Sequence, residues 1–230
     1  GNKQEEKEDV SVFVDLPQLK AEGEITAVTL YSSTSYFQYK MQPMGYEYDL
    51  INDFAKSQGL KLNIKVAENP ARLIEMLEAG EVDVVAYPIP INNKLKQEVI
   101  YCGREDISSQ VLIQRANKGD KLLTDVTQLI DKNVYVKPNT KYSERLKNLD
   151  EELGGGIHIQ KVENDSIATE DLIEMVSLGE IPYTISDDNT ARLNKTYYWN
   201  INVDLKVSFP QRSSWGVRKS SPDLAKAIDE

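Results

Sequence analysis

Residues 43–50 read Pro-Met-Gly-Tyr-Glu-Tyr-Asp-Leu, and this stretch decides the fold. Gly45 allows a turn here, because glycine adopts backbone angles that other residues avoid. Apolar residues then recur at helical spacing, namely Leu50, Ile51, Phe54 and Ala55. This spacing predicts an amphipathic helix, and the alternation of apolar and polar side chains over residues 60–66 predicts a strand after it. With a strand predicted over residues 25–31, the stretch forms a strand–loop–helix–strand unit, the module of an open α/β sheet.

Composition excludes several classes of function. The chain has 230 residues, 40% of them hydrophobic, which suffices for one large core or two modest ones. The net charge of −10 argues against nucleic acid or an anionic membrane as the main partner. Cys102 and His158 are the only cysteine and the only histidine, which leaves little room for a zinc enzyme or a Ser-His-Asp hydrolase. No metal or cofactor is therefore expected.

A helix–glycine–strand pattern occurs twice, about a hundred residues apart. Leu-Ile-Glu-Met at residues 73–76, followed by Gly80-Glu81, recurs at residues 172–175, followed by Gly179-Glu180. Each copy precedes a predicted strand, at residues 82–87 and 181–186. One interpretation is two lobes built alike, and the alternative is the chance recurrence of a common amphipathic pattern.

The motif at residues 45–50 resembles the Gly-Phe-(Asp/Glu)-x-Asp-Leu signature of the family 3 solute-binding proteins, the two-lobed periplasmic amino-acid receptors. The resemblance implies an α/β, type 2 periplasmic-binding-protein fold. Each lobe would be a mainly parallel sheet flanked by helices, and two hinge strands near residues 109–115 and 206–209 would join the lobes. We therefore predict a flexible polar tether over residues 1–22, lobe one over 23–112 plus 209–230, and lobe two over 113–208.

The resemblance also implies a ligand site in lobe two. Residues 136–140, Val-Lys-Pro-Asn-Thr, are similar to the Val-x-Ser-Gly-Thr turn of the amino-acid receptors, which points to Thr140 and Lys137. The turn opens a helix, whose free N–H groups suit a carboxylate. Asp187 follows a predicted strand at the position of the aspartate that takes the ligand ammonium. An N-cap of the next helix is the alternative role for Asp187.

Lobe one departs from the receptor pattern. Residues 86–96 read Ala-Tyr-Pro-Ile-Pro-Ile-Asn-Asn-Lys-Leu-Lys, with Leu95 at the position of the arginine that clamps a carboxylate. The lobe-one residues predicted to contact a ligand are Tyr36, Asn69, Asn92 and Lys94. Lysine offers charge but not the planar fork of arginine, so we expect weak binding of standard amino acids.

From about Gly23 onward the chain is most similar to the N-terminal binding module of membrane-bound lytic transglycosylase F, notably at residues 178–187 and 215–218. That resemblance implies a non-catalytic module that binds an amino acid or a peptidoglycan-derived peptide, with a catalytic domain downstream. The alternative is a stand-alone receptor that serves an ABC permease. An enzyme resembling the periplasmic cyclohexadienyl dehydratases is a third reading, with Glu47, Asp187 and Asp188 as its available carboxylates.

The charged start of the chain bears on location. Residues 2–9 are almost all charged or amide-bearing, which favours a solvated segment. We expect a periplasmic monomer tethered to the membrane as a lipoprotein through these residues. An ordinary frayed terminus is the alternative.

Overall fold

A computed structural model describes residues 12–32, 35–164 and 166–230. Residues 1–11 of the predicted tether lie outside the described residues. The described part contains the α-helices α1 Leu16–Glu22, α2 Tyr46–Ser57, α3 Pro70–Glu78, α4 Asn93–Lys96, α5 Lys141–Glu152, α6 Thr169–Ser177, α7 Asp188–Lys195 and α8 Pro222–Asp229, and a 3₁₀ helix, Val126–Leu129.

The same part of the chain forms twelve strands. They are β1 Glu24–Thr29, β2 Phe37–Tyr39, β3 Gln42–Met44, β4 Lys61–Val66, β5 Val84–Pro90, β6 Val99–Ser108, β7 Gln110–Arg115, β8 Asn133–Val136, β9 His158–Lys161, β10 Tyr183–Asp187, β11 Ile201–Asn202 and β12 Gln211–Arg218. Strands β2 and β3 pair as a small hairpin, which the sequence analysis did not predict.

The remaining strands form two five-stranded sheets. The first has the order β4-β1-β5-β12-β6 and the second β11-β7-β10-β8-β9. In the first sheet, β4, β1 and β5 are parallel while β12 and β6 run antiparallel to their neighbours. In the second sheet, β10, β8 and β9 are parallel while β7 and β11 are antiparallel to theirs. The two-lobed α/β fold is thus confirmed, but each sheet is mixed rather than mainly parallel, because the strands that cross between the lobes enter and leave in opposite directions.

The two crossings lie side by side. Strand β6 of the first sheet passes into β7 of the second at Ser109, and the return segment leads into β12. Ser108 pairs with Gln211 on the lobe-one side, and Val111 bridges to Lys206 on the lobe-two side. The exact domain boundaries at residues 112 and 209 stay a prediction.

Each sheet is covered on both faces by apolar side chains. On β5, Val84 and Ala86 join the core beneath α2 and α8, whereas Val85 joins the core beneath α3. On β7, Leu112 and Ile113 likewise enter different cores. This two-sided burial explains why these strands read as continuous apolar runs in the sequence.

Two local features have the structure that the sequence predicted, the start of α3 and the turn before α2. The side chain of Asn69 accepts a hydrogen bond from the Arg72 amide at the start of α3, with Pro70 in the first helical position. Gly45 has φ +125°, and a Cβ there would lie 2.4 Å from the carbonyl oxygen of Ser35. Glycine is therefore needed at the entrance to α2.

The prediction of a flexible tether up to residue 22 is wrong for residues 16–22, which form α1. Asp15 caps this helix in a capping box with Gln18. Leu19 is 2% exposed and packs into the lobe-one core. The cap and the buried leucine stabilise this helix, whereas the polar run that suggested a solvated segment ends at residue 9.

Two features are absent from the described ranges, a membrane-spanning helix and a cluster of metal ligands. No helix there has the length and apolar character needed to cross a membrane. No group of three or more His, Cys, Asp or Glu side chains there is arranged to hold a metal ion.

Candidate ligand-binding site

A small polar cavity lies where the two lobes meet. Its volume is about 30 Å³, and its lining combines lobe one, lobe two and both crossings: Pro88, Pro90, Ser108, Gln110, Lys141, Asp187, Ser208, Gln211, Arg212 and Ser213. A volume of this size suits a water molecule rather than an amino acid.

Asp187 is the central charge of this cavity. It ends β10 and leads into α7, and one of its carboxylate oxygens accepts hydrogen bonds from Lys141 Nζ at 2.5 Å and Tyr142 Oη at 3.2 Å. Both donors belong to the first turn of α5, directly after the predicted Thr140 turn. The predicted ammonium acceptor thus already holds an ammonium group that the chain itself supplies.

The ionisation of these groups follows from their surroundings. Burial disfavours the charged Lys141, but Asp187, Tyr87 and Asp188 together outweigh it, and the pKa of Lys141 is raised. Burial is also the main cause that raises the pKa of Tyr142 well above its usual value, with Asp187 adding to it. Lys141 is therefore a stable cation beside a carboxylate at neutral pH.

Tyr87 is a lobe-one residue near the charges of Lys141 and Asp187. It lies on β5, and burial raises the pKa of its phenol, while Lys141 opposes this shift and Asp187 adds to it. The phenol of Tyr87 therefore lies within electrostatic reach of the lobe-two ion pair. Sequence reasoning did not select Tyr87, Lys141 or Tyr142, although the latter two directly follow the recognised turn.

Gln110 supplies a further polar atom to the cavity. This residue is 5% exposed, and its Oε1 has no hydrogen-bond partner among the described residues. A buried acceptor without a donor costs free energy of the order of 1–3 kcal/mol. Gln110 thus places an unsatisfied buried acceptor beside the cavity.

The other predicted residues lie elsewhere in the fold. Three of them cap helices through side-chain oxygens that accept backbone N–H groups: Asn69 on α3, Asn92 on α4 and Thr140 on α5. Lys94 is exposed on α4, and Lys137 donates to the carbonyl of Asn164 at 2.7 Å.

Tyr36 is 7% exposed and packs against other aromatic rings. Its ring stacks on Tyr31 at 5.4 Å between centroids and lies 5.7 Å from Tyr48. Among the described residues that line the cavity, Asp187 is the one that the sequence predicted. A ligand role for all seven predicted residues stays a prediction.

Lobe one contributes the cation Arg212 to the cavity lining, but its guanidinium is paired with Glu105. Leu95, at the receptors' arginine position, is half-buried and cannot bind a carboxylate. Lys141 lies next to the cavity instead, so one lobe presents both a cation and an anion. This pair is complementary to a ligand that carries a carboxylate and an ammonium group.

Comparison with known proteins identifies the family. The model of the bacterial extracellular solute-binding proteins, family 3, matches residues 25–230. The chain belongs to this family. It is therefore a binding module, which confirms the prediction that it is not itself an enzyme.

Curated relatives carry the name membrane-bound lytic murein transglycosylase F. The chain is 31% identical to the one from Desulfosudis oleivorans (strain DSM 6200 / JCM 39069 / Hxd3) over 216 residues, which are 92% of this chain and 45% of the relative. It is 28% identical to the one from Pseudomonas fluorescens (strain Pf0-1) over 204 residues, or 88% of this chain and 41% of the relative. The chain thus spans less than half the length of these relatives.

A solved structure shares the fold of this family 3 chain. It is the arginine-bound form of truncated ArgBP from T. maritima, with a TM-score of 0.77, 20% sequence identity, and coverage of 93% of this chain and 97% of that one. The likeness supports the two-lobed architecture.

Proposed function

We propose that this chain is the ligand-binding module of a lytic transglycosylase and that it binds a small zwitterionic ligand, an amino-acid-like or cell-wall-peptide-like molecule, between its lobes. The observation that carries the proposal is the ion pair of Lys141 and Asp187 at the inter-lobe cavity. In the liganded state the ligand carboxylate binds Lys141 and the ligand ammonium binds Asp187. The internal pair is exchanged for two pairs with the ligand.

The energetics favour a ligand that brings further contacts. A hydrogen bond to a charged group contributes about 1.5–3 kcal/mol, and the exchange breaks one such bond to make two. Separating Lys141 from Asp187 opposes binding, so a free amino acid with few other groups gains little. A peptide fragment with a free amine adds contacts along both lobes and is the better candidate.

The names of the relatives support a regulatory role in peptidoglycan turnover. The relatives are roughly twice as long as this chain, which leaves room in them for a catalytic domain beside the binding module. The description of the family as extracellular supports a periplasmic location, and the polar residues 2–9 suit a tether to a lipid anchor.

A stand-alone receptor for an ABC permease is the second candidate. The likeness to arginine-bound ArgBP along nearly its whole length favours it. That protein binds arginine, but it is only 20% identical to this chain, so its ligand cannot be transferred. Ligand binding at the ion pair of this chain has to be tested directly.

Titration calorimetry and thermal shift distinguish the two candidates. Free amino acids of both enantiomers are compared with purified peptidoglycan peptides, since a ligand stabilises the folded state by mass action. We expect the peptides to bind and the Asp187→Asn variant to lose about tenfold or more in affinity. Asp120→Asn is the matched control, because Asp120 pairs with Arg115 outside the cavity.

Two results would count against the proposal. Tight, enantiospecific binding of one free amino acid, lost in Asp187→Asn, favours the transport receptor. Peptide binding that is unaffected by both Asp187→Asn and Lys141→Met places the ligand away from the ion pair.

A further inference from the structure

A second and larger cavity lies within lobe one. Its volume is about 200 Å³, and it opens between α2 and α8 against strands β6 and β12. Its walls are largely apolar and come from Leu50, Phe54, Pro88, Trp215 and Ile228. An apolar cavity of roughly 150 Å³ is large enough to hold benzene, so this one accommodates a ring with a short substituent.

Glu47 lies in this cavity and is 5% exposed. Its Oε2 accepts a hydrogen bond from Trp215 Nε1 at 2.5 Å, the one hydrogen bond recorded for this carboxylate among the described residues. An ionised carboxylate has about four acceptor sites. Most of the acceptor capacity of Glu47 is therefore available to a donor that enters the cavity.

The charges around the cavity favour a cation. Asp106 on β6 lines the cavity with Glu47, and Asp229 on α8 accepts a hydrogen bond from the Gly103 amide in its wall. Arg104 is the basic residue of the lining; its side chain is 73% exposed, and its guanidinium already lies near Asp106 and Tyr46. The buried end of the cavity thus carries an acceptor without a cationic partner.

We propose that this cavity binds a small organic cation, an ammonium group on an aromatic or branched apolar body, with the ammonium on Glu47 and the body among the apolar walls. The site is separate from the Lys141–Asp187 pair, although both cavities include Pro88. The proposal does not depend on the proposed function of the inter-lobe site.

The ionisation of Glu47 gives the site a characteristic pH dependence. Burial raises the pKa of Glu47 to about 7, the Trp215 hydrogen bond lowers it, and Asp106 raises it. The other titratable or charged groups around it are Tyr46 on α2, Tyr87 on β5, Arg104 and Asp106 on β6, and Asp229 on α8. Since the cation needs the ionised form, its affinity falls as the pH drops below about 7.

Fluorescence of Trp215 reports occupancy directly. The only other tryptophan, Trp199, is 80% exposed, and Trp199→Phe removes its background. Benzylammonium is titrated as the probe, with benzyl alcohol and benzoate as neutral and anionic analogues of the same shape. We expect benzylammonium to bind about tenfold or more tightly than benzyl alcohol at pH 8, and benzoate to bind least.

Glu47→Gln is the decisive variant, because glutamine keeps the acceptor for Trp215 and removes the charge. It should abolish the preference for benzylammonium and leave benzyl alcohol unchanged. Asp120→Asn is the matched control, because Asp120 pairs with Arg115 outside both cavities, and it should leave both affinities as they are. If Glu47→Gln fails to fold, the affinities of the parent protein are measured as a function of pH instead. We expect benzylammonium to bind about tenfold more weakly at pH 6 than at pH 8, and the affinity for benzyl alcohol to stay the same.

Three outcomes overturn the proposal. One is equal affinity for benzylammonium and benzyl alcohol, or no binding of either. Another is a preference for the cation that survives in Glu47→Gln. The third is loss of cation binding in Asp187→Asn, which would assign the ligand to the inter-lobe site.

Discussion

The buried carboxyl of Glu47 makes a quantitative prediction about stability. The pKa of Glu47 is about 7 in the folded protein, against 4.5 for the free side chain. Between these two values the folded state holds a proton that the unfolded state has released. The contribution of Glu47 to the free energy of unfolding therefore falls as the pH rises from 4.5 to 7. Above pH 7 this contribution is constant.

The magnitude follows from the same two pKa values. At about 1.4 kcal/mol for each pH unit, the difference between 4.5 and about 7 corresponds to about 3 kcal/mol. This is a large share of the 5–15 kcal/mol that is typical of a folded domain. The physical cause is the cost of placing a charge beside Trp215 and the apolar walls, which one hydrogen bond offsets only in part.

Urea unfolding followed by circular dichroism between about pH 4.5 and pH 8 measures the effect. Because other acids also titrate, the informative quantity is the difference between the parent protein and Glu47→Gln at each pH. We expect Glu47→Gln to gain about 3 kcal/mol relative to the parent across this range. Glu75→Gln, on the exposed surface of α3, is the control and should track the parent. Parallel curves for the parent and Glu47→Gln would refute the reasoning.

The remaining predictions concern backbone strain, packing and activity. Gly45→Ala should cost about 1–3 kcal/mol in urea unfolding, because a Cβ there meets the Ser35 carbonyl, whereas Gly59→Ala has open space and should cost less. Equal losses would contradict this account. Leu73→Ala should cost about 2–5 kcal/mol, since Leu73 is fully buried, while Leu178→Ala at 62% exposure should be near neutral. The purified chain should release no soluble fragments from peptidoglycan, as expected of a binding module, and release that is lost on mutating a cleft carboxylate would show otherwise.

The sequence by itself determined the elements that depend on neighbouring residues. The Asn69 side chain accepts the Arg72 amide within one helical turn, and Pro70 occupies the first helical position. The residue types at these positions therefore predict the start of α3. The repeated helix–glycine–strand pattern is confirmed as α3 with β5 and α6 with β10. Asp187 was selected through its resemblance to the aspartate of the amino-acid receptors, which also follows a strand.

The tertiary structure alone decided which of these residues meet. Lys141 and Asp187 are 46 positions apart, and Glu47 and Trp215 are 168 apart, so no local pattern joins them. Tyr36, which the sequence predicted to contact a ligand, is buried and packs against Tyr31 and Tyr48. Hydrogen bonds within a turn join residues that are close in sequence. The ion pair and the buried carboxylate of this protein instead form where distant segments pack together. For this reason the fold was predictable from the sequence and most of the candidate site was not.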